Sequence, residues 1–160
     1  MTRTVPLHER IDAVVIGASA GGVEALMQLL PALQIGTQAT FFIVLHLPRD
    51  RPSLLVTIFQ PRCALPVLEA VDKEPVAPGT VYIAPPDYHL LLEEPARGGS
   101  HPHIALSADE EVHYSRPSID VLFETAAEAY PRRLLGLILT GANEDGAKGL
   151  AAVQAAGGMT

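Results

Sequence analysis

The chain contains the stretch Ile16-Gly17-Ala18-Ser19-Ala20-Gly21-Gly22, which joins an apolar run at 13–16 to an amphipathic run at 23–33. This change of pattern predicts a strand, a tight turn and a helix. The glycines let the backbone take positive φ or pack closely, so the turn can hold one small polar side chain at its apex. That side chain is Ser19.

The G-x-S-x-G spacing is typical of a serine nucleophile. Such a serine needs an exposed oxygen, a nearby base and free backbone amides for the developing oxyanion. The same turn also fits two other uses, a serine that caps the helix and a site that binds an anion through the free amides. The turn by itself does not choose among the three.

Composition limits the class of protein. At 160 residues, 48% of them hydrophobic, the chain is long enough for one domain with a sizeable core and has no room for a second domain. Its formal net charge of −7 disfavours nonspecific binding to nucleic acid or anionic lipid. A single cysteine, Cys63, cannot form an internal disulfide, and no apolar stretch has the length of a membrane span. Because residues 1–10 lack the apolar core of a signal peptide, we expect a soluble cytoplasmic protein without membrane insertion.

Apolar runs alternate with helical periodicities, which predicts the α/β class with three layers, α/β/α, and a mostly parallel sheet. The expected strands are 13–16, 41–45, 66–71, 80–84 and 134–139, and the expected helices are 23–33, 52–60, 117–129 and one that ends near 156. Two further strands, 89–92 and 103–106, flank a loop that contains proline and glycine. They predict an antiparallel hairpin at the edge of the sheet.

Side chains suited to catalysis follow three of the predicted strands. Ser19 follows the first, His46 the second, and the acid pair Glu144 and Asp145 the last. Because the carboxyl ends of parallel strands meet at one edge of a sheet, we expect these side chains to lie close together. An imidazole activates a serine best when a carboxylate fixes its tautomer. Spacing alone does not choose between Glu144 and Asp145.

Other polar residues are weaker candidates for a catalytic or binding role. Asp87, two residues before His89, is a rival for the acid, and Arg116 could either solvate the start of a helix or meet an anionic partner. The remaining histidines lie in the leading segment or near the hairpin, where solvated histidines are ordinary: His8, His89, His101, His103 and His113. They lack the close carboxylate or cysteine spacing of metal ligands, so no metal site is expected. Cys63 is interpreted as a packing residue.

The chain order of the candidates is serine, histidine, acid. In α/β-hydrolases the acid precedes the histidine, so this sequence is not typical of that class despite its G-x-S-x-G motif. A different scaffold is indicated.

Five separated segments resemble the signatures of the CheB-type chemotaxis methylesterases, in the same order. They are VIGASAGG at 15–22, FIVLHLP at 42–48, VYIAPP at 81–86, RPSIDVLF at 116–123 and LTGANEDGA at 139–147. The resemblance implies that Ser19 is the nucleophile, His46 the general base and Asp145, rather than Glu144, the orienting acid. It also implies hydrolysis of glutamyl methyl esters on the cytoplasmic helices of chemoreceptors, with deamidation of certain glutamines and without a cofactor.

Further site residues are predicted on this basis. Backbone amides near Ala20 and Ala142 are the expected oxyanion donors. Arg116 is the expected substrate-binding residue, and together with Arg49 and Arg51 it is expected to attract acidic receptor helices.

The sequence departs from the family pattern at three places. Many relatives carry threonine in place of Ala20, and methionine and glycine in place of Ala142 and Asn143. Regulated relatives have a phosphorylated receiver domain before the first strand, where this chain has only residues 1–12, so phosphorylation in cis is not expected. Relatives also continue past the position of Thr160 with another strand and helix. We therefore expect a single domain over 1–160 that is short at its end, with an unpaired sheet edge.

Two other functions stay open at this point. One is a noncatalytic sensory or adaptor module that keeps the methylesterase fold and binds a partner or an anion at the glycine turn. The other is nucleotide binding, which is less favoured because the turn lacks both the G-x-G-x-x-G spacing and the lysine of a P-loop.

Overall fold

The computed structural model describes residues 4–95, 97–141 and 143–160. Strands and helices alternate through most of this length, as predicted. In chain order they are β1 Ala13–Ala18, α1 Gly22–Leu29, β2 Thr40–Leu45, α2 Leu55–Phe59, β3 Val67–Glu69, β4 Val81–Ile83, β5 His89–Glu93, β6 His103–Ser107, α3 Ile119–Ala129, β7 Leu134–Ile138 and α4 Ala147–Ala155. Among the described residues, no helix is both long and apolar enough to cross a membrane.

Five strands form one parallel sheet in the order β3-β4-β2-β1-β7. β1 lies between β2 and β7, with Ala13 opposite both Thr40 and Leu134. β1 and β2 are buried along their whole length. This burial agrees with their continuous apolar sequences, because central strands of a parallel sheet are covered on both faces.

Successive side chains of β1 enter two different cores, as the period of a strand requires. Val14 and Ile16 pack in the core that includes Leu26 of α1 and Phe59 of α2. Val15 packs on the opposite face, in the core formed with α3, α4 and the strands β5 and β6. The α/β class and its three layers are confirmed.

The predicted antiparallel hairpin is present, but it does not extend the edge of the parallel sheet. β5 and β6 form a two-stranded sheet of their own, with Leu90 opposite Leu106. The backbone of Ile104 pairs instead with the preceding loop, where it accepts a hydrogen bond from the Lys73 N–H and donates one to the Glu74 carbonyl, each 2.8 Å long. The reason is burial: the apolar side chains of the hairpin pack into the core beside α3 rather than beside an edge strand.

The outer side of β7 is paired at one point, whereas the sequence predicted an unpaired edge. Met159 forms a parallel bridge with Leu135. The Gly136 N–H donates to the Met159 carbonyl at 2.8 Å, and the Met159 N–H donates to the Leu134 carbonyl at 2.9 Å.

Candidate active site

Three neighbouring strands bring the predicted catalytic residues to one edge of the sheet. Ser19 follows β1, His46 follows β2, and Asp145 lies between β7 and α4. Backbone hydrogen bonds continue past the strand ends and tie these loops together: the His46 N–H donates to the Ala18 carbonyl and the Leu139 N–H to the Gly17 carbonyl, both at 3.0 Å. The shared edge therefore follows from the strand order β2-β1-β7.

The backbone of the glycine turn is held on both sides of Ser19. Its N–H donates to Oγ1 of Thr140 at 2.9 Å, and its carbonyl accepts from the Gly22 N–H at 2.9 Å. Gly21 has φ +80° and occupies the N-cap of α1, which receives no side-chain capping bond. The Ser19 hydroxyl is buried, whereas the sequence predicted an exposed oxygen, and it makes no hydrogen bond to His46 or to any other described residue. It therefore does not cap the helix, which was one of the alternatives that the sequence left open.

His46 and Asp145 form a hydrogen-bonded pair. Nε2 of His46 lies 2.8 Å from Oδ2 of Asp145, and their side chains are 15% and 0% exposed. An ionised carboxylate only accepts hydrogen bonds, so Nε2 carries the proton and Nδ1 is left with a lone pair. This is the tautomer in which Nδ1 can act as a base.

The carboxylate of Asp145 is anchored at the start of α3. Oδ1 accepts from Ser118 Oγ at 2.8 Å and from the Asp120 N–H at 2.9 Å, and Oδ2 accepts from the Ile119 N–H at 2.7 Å. Burial alone would raise the pKa of Asp145, but the hydrogen bonds from His46, the first amides of α3 and Ser118 outweigh burial and hold this pKa below its ordinary value. Asp145 is therefore a fixed, ionised partner for the imidazole.

A cavity of about 230 Å³ opens beside His46. Its lining includes Leu47, Pro48, Tyr114 and Arg116, but not Ser19. The Tyr114 side chain is 95% exposed. The imidazole is thus accessible from a small cleft with an aromatic residue at its rim.

Comparison with known proteins agrees with this architecture. The family model described as CheB methylesterase matches residues 14–160. The chain belongs to the CheB methylesterase family. The crystal structure of the Thermotoga maritima CheB methylesterase catalytic domain superposes with a TM-score of 0.86 at 36% identity, covering 92% of this chain and 77% of that one. This assignment confirms the resemblance inferred from the five segments and makes the chain a hydrolase of the methylesterase type.

This chain covers different shares of the curated relatives that it matches. A Leptospira interrogans relative is 43% identical over 148 residues, which are 92% of this chain and 74% of the relative. The Caulobacter vibrioides protein-glutamate methylesterase/protein-glutamine glutaminase 2 is 39% identical over 148 residues, which are 92% of this chain but 42% of that protein. This chain thus spans less than half of the longer relative.

The rival acids lie elsewhere in this CheB-family domain. The Glu144 side chain is 89% exposed, and its Oε2 lies 4.0 Å from Nδ1 of His113. Asp87 forms ion pairs with Arg116 at 2.7 Å and with Arg49 at 3.7 Å. The carboxylate that meets His46 is therefore the one that the resemblance implied.

Arg116, the expected substrate-binding residue, has its guanidinium engaged within the protein. Nε and Nη2 donate to Oδ1 of Asp87 at 3.1 and 2.7 Å, and Nη1 donates to the carbonyls of Ala108 and Asp109, both at 3.1 Å. Arg49 is paired with Glu111. These arginines line the cavity of the CheB-family site, but neighbouring acids offset much of the positive charge that the sequence suggested there.

Of the two predicted oxyanion residues, Ala20 and Ala142, the structure describes only Ala20. The Ala20 N–H, directly after Ser19, donates no hydrogen bond to any other described residue. It is a free donor at the glycine turn of the CheB-family site. Ala142 lies outside the described residues. Nowhere in 4–95, 97–141 and 143–160 do three His, Cys, Asp or Glu side chains lie close enough to hold a metal ion.

Several residues that support Ser19 and the His46–Asp145 pair were not predicted from the sequence. Thr140 holds the Ser19 amide, Ser118 binds the Asp145 carboxylate, and buried His89 accepts from the Ser118 N–H through Nδ1 at 3.1 Å while its Nε2 donates to the Glu110 carbonyl at 2.8 Å. Ser118 carries a detectable signal, since a serine directly before a strongly periodic apolar helix is a typical N-cap. The contacts of Thr140 and His89 join distant segments and leave no local pattern.

Proposed function

We propose that this chain is a protein-glutamate methylesterase in which Ser19 is the nucleophile, His46 the general base and Asp145 the acid that orients the imidazole. The 2.8 Å hydrogen bond between His46 and a fully buried carboxylate carries the proposal. Ser19 supports it by its place at the end of the neighbouring strand. Its hydroxyl makes no hydrogen bond among the described residues, so it is not committed to a structural role. A histidine in solvent would not need a buried carboxylate beside it, and a serine that capped the helix would have its hydroxyl in a hydrogen bond.

Acylation of Ser19 uses the lone pair on Nδ1. Nδ1 takes the Ser19 proton while Oγ bonds to the ester carbonyl carbon, and Asp145 stabilises the resulting imidazolium through Nε2–H. The carbonyl oxygen becomes an oxyanion, for which the Ala20 N–H is a donor. The bond from the carbonyl carbon to the methoxy oxygen then breaks, and that oxygen takes the proton from His46 and leaves as methanol.

Deacylation repeats these steps with water. A water molecule gives a proton to Nδ1 and attacks the acyl carbon, and the serine oxygen leaves with that proton. The product is a free glutamate side chain. Because the relatives are also named as protein-glutamine glutaminases, we extend the proposal to glutamine amides, for which ammonia replaces methanol as the leaving group.

The proposed substrate is a polypeptide, namely the cytoplasmic helices of a methylated chemoreceptor, as the family resemblance implies. The cavity of about 230 Å³ beside His46 is too small to hold a helix. The helix therefore has to dock at the rim, where the exposed Tyr114 lies.

Replacement of Ser19 by alanine tests the assignment. We expect S19A to lower methanol release from methylated receptor by about 10³-fold or more, because the acyl-enzyme can no longer form. Ser100, exposed in the loop of the hairpin, provides a matched control, and S100A should release methanol as the wild type does. Equal activity of S19A and wild type would exclude the proposed mechanism.

A serine-directed phosphonate separates the enzyme from the noncatalytic module. We expect the probe to label Ser19 of the wild type and to leave S19A unlabelled. A folded wild type that neither takes up the label nor releases methanol would instead support a module that binds without catalysis.

A further inference from the structure

Two buried carboxylates join the starts of α3 and α4 in a reciprocal arrangement. Asp145, which lies just before α4, accepts the Ile119 and Asp120 N–H groups at the start of α3. Asp120 in turn accepts the N–H groups of Gly146 and Gly149 at the start of α4, through Oδ1 at 2.8 and 2.7 Å. Each helix therefore supplies the acid that binds the amino end of the other.

These contacts form a closed ring between Asp120 and Asp145. The Asp120 N–H binds Oδ1 of Asp145, and the Gly146 N–H, which belongs to the peptide group directly after Asp145, binds Oδ1 of Asp120. On the other side, the Asp145 N–H donates to Oδ1 of Asn143 at 3.0 Å. The peptide groups before and after Asp145 are therefore both held, which fixes the backbone from which its carboxylate reaches His46.

The second oxygen of Asp120 has a different environment. Oδ2 is buried and makes no hydrogen bond within the described part of the chain. The nearest cation-forming group is Nε2 of His113, at 3.4 Å, and the His113 side chain is 28% exposed. Burying a carboxylate with one unpaired oxygen lowers the stability of the fold. Capping α4 alone does not explain why Asp120 is buried in this way.

We propose that Asp120 is a positioning residue for the reaction assigned to this site: it holds the Asp145–Gly146 peptide so that Asp145 keeps its hydrogen bond to His46. This inference rests on the proposed function. A helix cap alone would contribute stability, whereas a positioning residue also determines how strongly Asp145 stabilises the His46 imidazolium. The two roles differ in the pH dependence of the reaction.

The expected direction of the pH effect follows from the groups around the pair. Asp145 faces the imidazole directly, and Arg49 and Arg116 line the cavity beside it. His113 faces Asp120, with Glu144 beyond it. When Asp145 is displaced, the imidazolium that His46 forms during the reaction loses the carboxylate that accepts its Nε2–H. The acid limb of kcat/KM, which reports the free enzyme's base, then moves to lower pH.

The experiment compares D120A, D120N and T125A with the wild type. We expect D120A to lower kcat by about 10- to 100-fold with little change in KM, because small displacements of a catalytic group have effects of this size. Its acid limb should move to lower pH by more than that of D120N, which removes the same charge but keeps the acceptor. D120N keeps an oxygen that can accept from the Gly146 and Gly149 amides, so it should restore most of kcat and provides a readout if D120A does not fold.

Thr125 provides the control on the same helix. Its Oγ1 accepts from the Leu92 N–H at 3.0 Å and donates within α3, away from Asp145. T125A should lower stability against urea while keeping the wild-type kcat and pH profile. If D120A changes stability alone, as T125A does, Asp120 is only a helix cap and the inference is wrong.

A spectroscopic measurement separates this inference from the proposed function. The Nε2 proton of His46, which lies in the hydrogen bond to Asp145, is expected to give a low-field proton resonance in the wild type that is lost or shifted in D120A and retained in T125A. This holds whether or not the protein turns over ester. An unchanged resonance in D120A would overturn the positioning role. A wild type that shows the resonance but has no Ser19-dependent methanol release would overturn the proposed function alone.

Discussion

The Ser19 hydroxyl is an unsatisfied polar group at the edge of the sheet that carries the candidate site. It is buried without a hydrogen bond to any described residue, while its backbone is held by Thr140 and Gly22. Leaving a buried hydroxyl unpaired costs about 1–3 kcal/mol. Such a group in a native structure calls for an explanation, and a catalytic role is one that agrees with the proposed function.

The ionisation of Asp145 should make the free energy of unfolding depend on pH. Its pKa in the folded protein lies below its ordinary value, so its ionised form stabilises the fold above the unfolded pKa, about 4. This stabilisation is lost as the pH falls through the folded value. We therefore expect the wild type to exceed D145N in the free energy of unfolding at pH 7, with a difference that shrinks below about pH 4.

Urea denaturation of both proteins between pH 7 and pH 3 measures this difference. Because the other acidic residues are the same in both proteins, their contributions largely cancel in the comparison. A difference that stays constant or grows toward low pH would show that ionised Asp145 does not stabilise the fold.

Among the elements, the turn at 112–115 is the most strained next to the site. Its two central residues, His113 and Tyr114, have φ of 49° and 61°. Reciprocal backbone hydrogen bonds between Val112 and Ser115 close it, at 3.0 and 2.9 Å. Residues other than glycine rarely adopt this conformation, and when they do the strain is often related to function. The turn holds Tyr114 outward at the rim of the cavity.

Tyr114→Gly should raise the stability of the fold and weaken the recognition of methylated receptor. Glycine adopts positive φ without strain, so the free energy of unfolding should rise by about 1 kcal/mol. The ratio of kcat/KM for methylated receptor to kcat/KM for a small glutamyl methyl ester should fall, because the larger substrate loses its rim contact. Both quantities can be measured on one preparation.

Lys73 provides the matched control for this variant. It is exposed and also has a positive φ, of 65°, on a loop that pairs with β6. K73G should relieve comparable strain without a change in the ratio of the two substrates. An equal ratio in Tyr114→Gly and wild type would mean that Tyr114 does not contact the receptor.

For the molecule as a whole, the sheet and a helix layer are in close contact directly before the glycine turn. A Cβ atom at Gly17 would lie 2.5 Å from Cγ2 of Ile119. This contact joins the end of β1 to the first residue of α3, whose amide binds Asp145. The distance between sheet and helix layer therefore affects the spacing between the serine turn and the acid.

Gly17→Ala should disturb folding and activity together. The added methyl group has to displace Ile119, so we expect a loss of about 1–3 kcal/mol in the free energy of unfolding, accompanied by a lower kcat for methanol release. A Cβ at Gly141 meets nothing within 4 Å among the described residues, so Gly141→Ala should keep the wild-type stability. If Gly17→Ala loses stability but keeps kcat, the layer contact does not influence the site.

The sequence by itself determined the features that depend on short-range patterns. Strand and helix periods predicted the α/β class and most elements, and strand ends placed Ser19, His46 and the acid pair on one edge. Boundaries were less accurate where local chemistry decides them. The helix predicted from 117 begins at Ile119, since Ser118 caps it, and the helix predicted over 52–60 is shorter, Leu55–Phe59.

Only the tertiary structure decided which groups meet across long separations. His46 and Asp145 are 99 residues apart, and residue spacing cannot show which carboxylate the imidazole reaches; family resemblance was needed to prefer Asp145 over Glu144. The internal pairing of Arg116, the separate hairpin and the ring between Asp120 and Asp145 left no signal in the sequence. Each depends on how distant segments of the chain pack together, and that packing is a property of the assembled core rather than of any one segment.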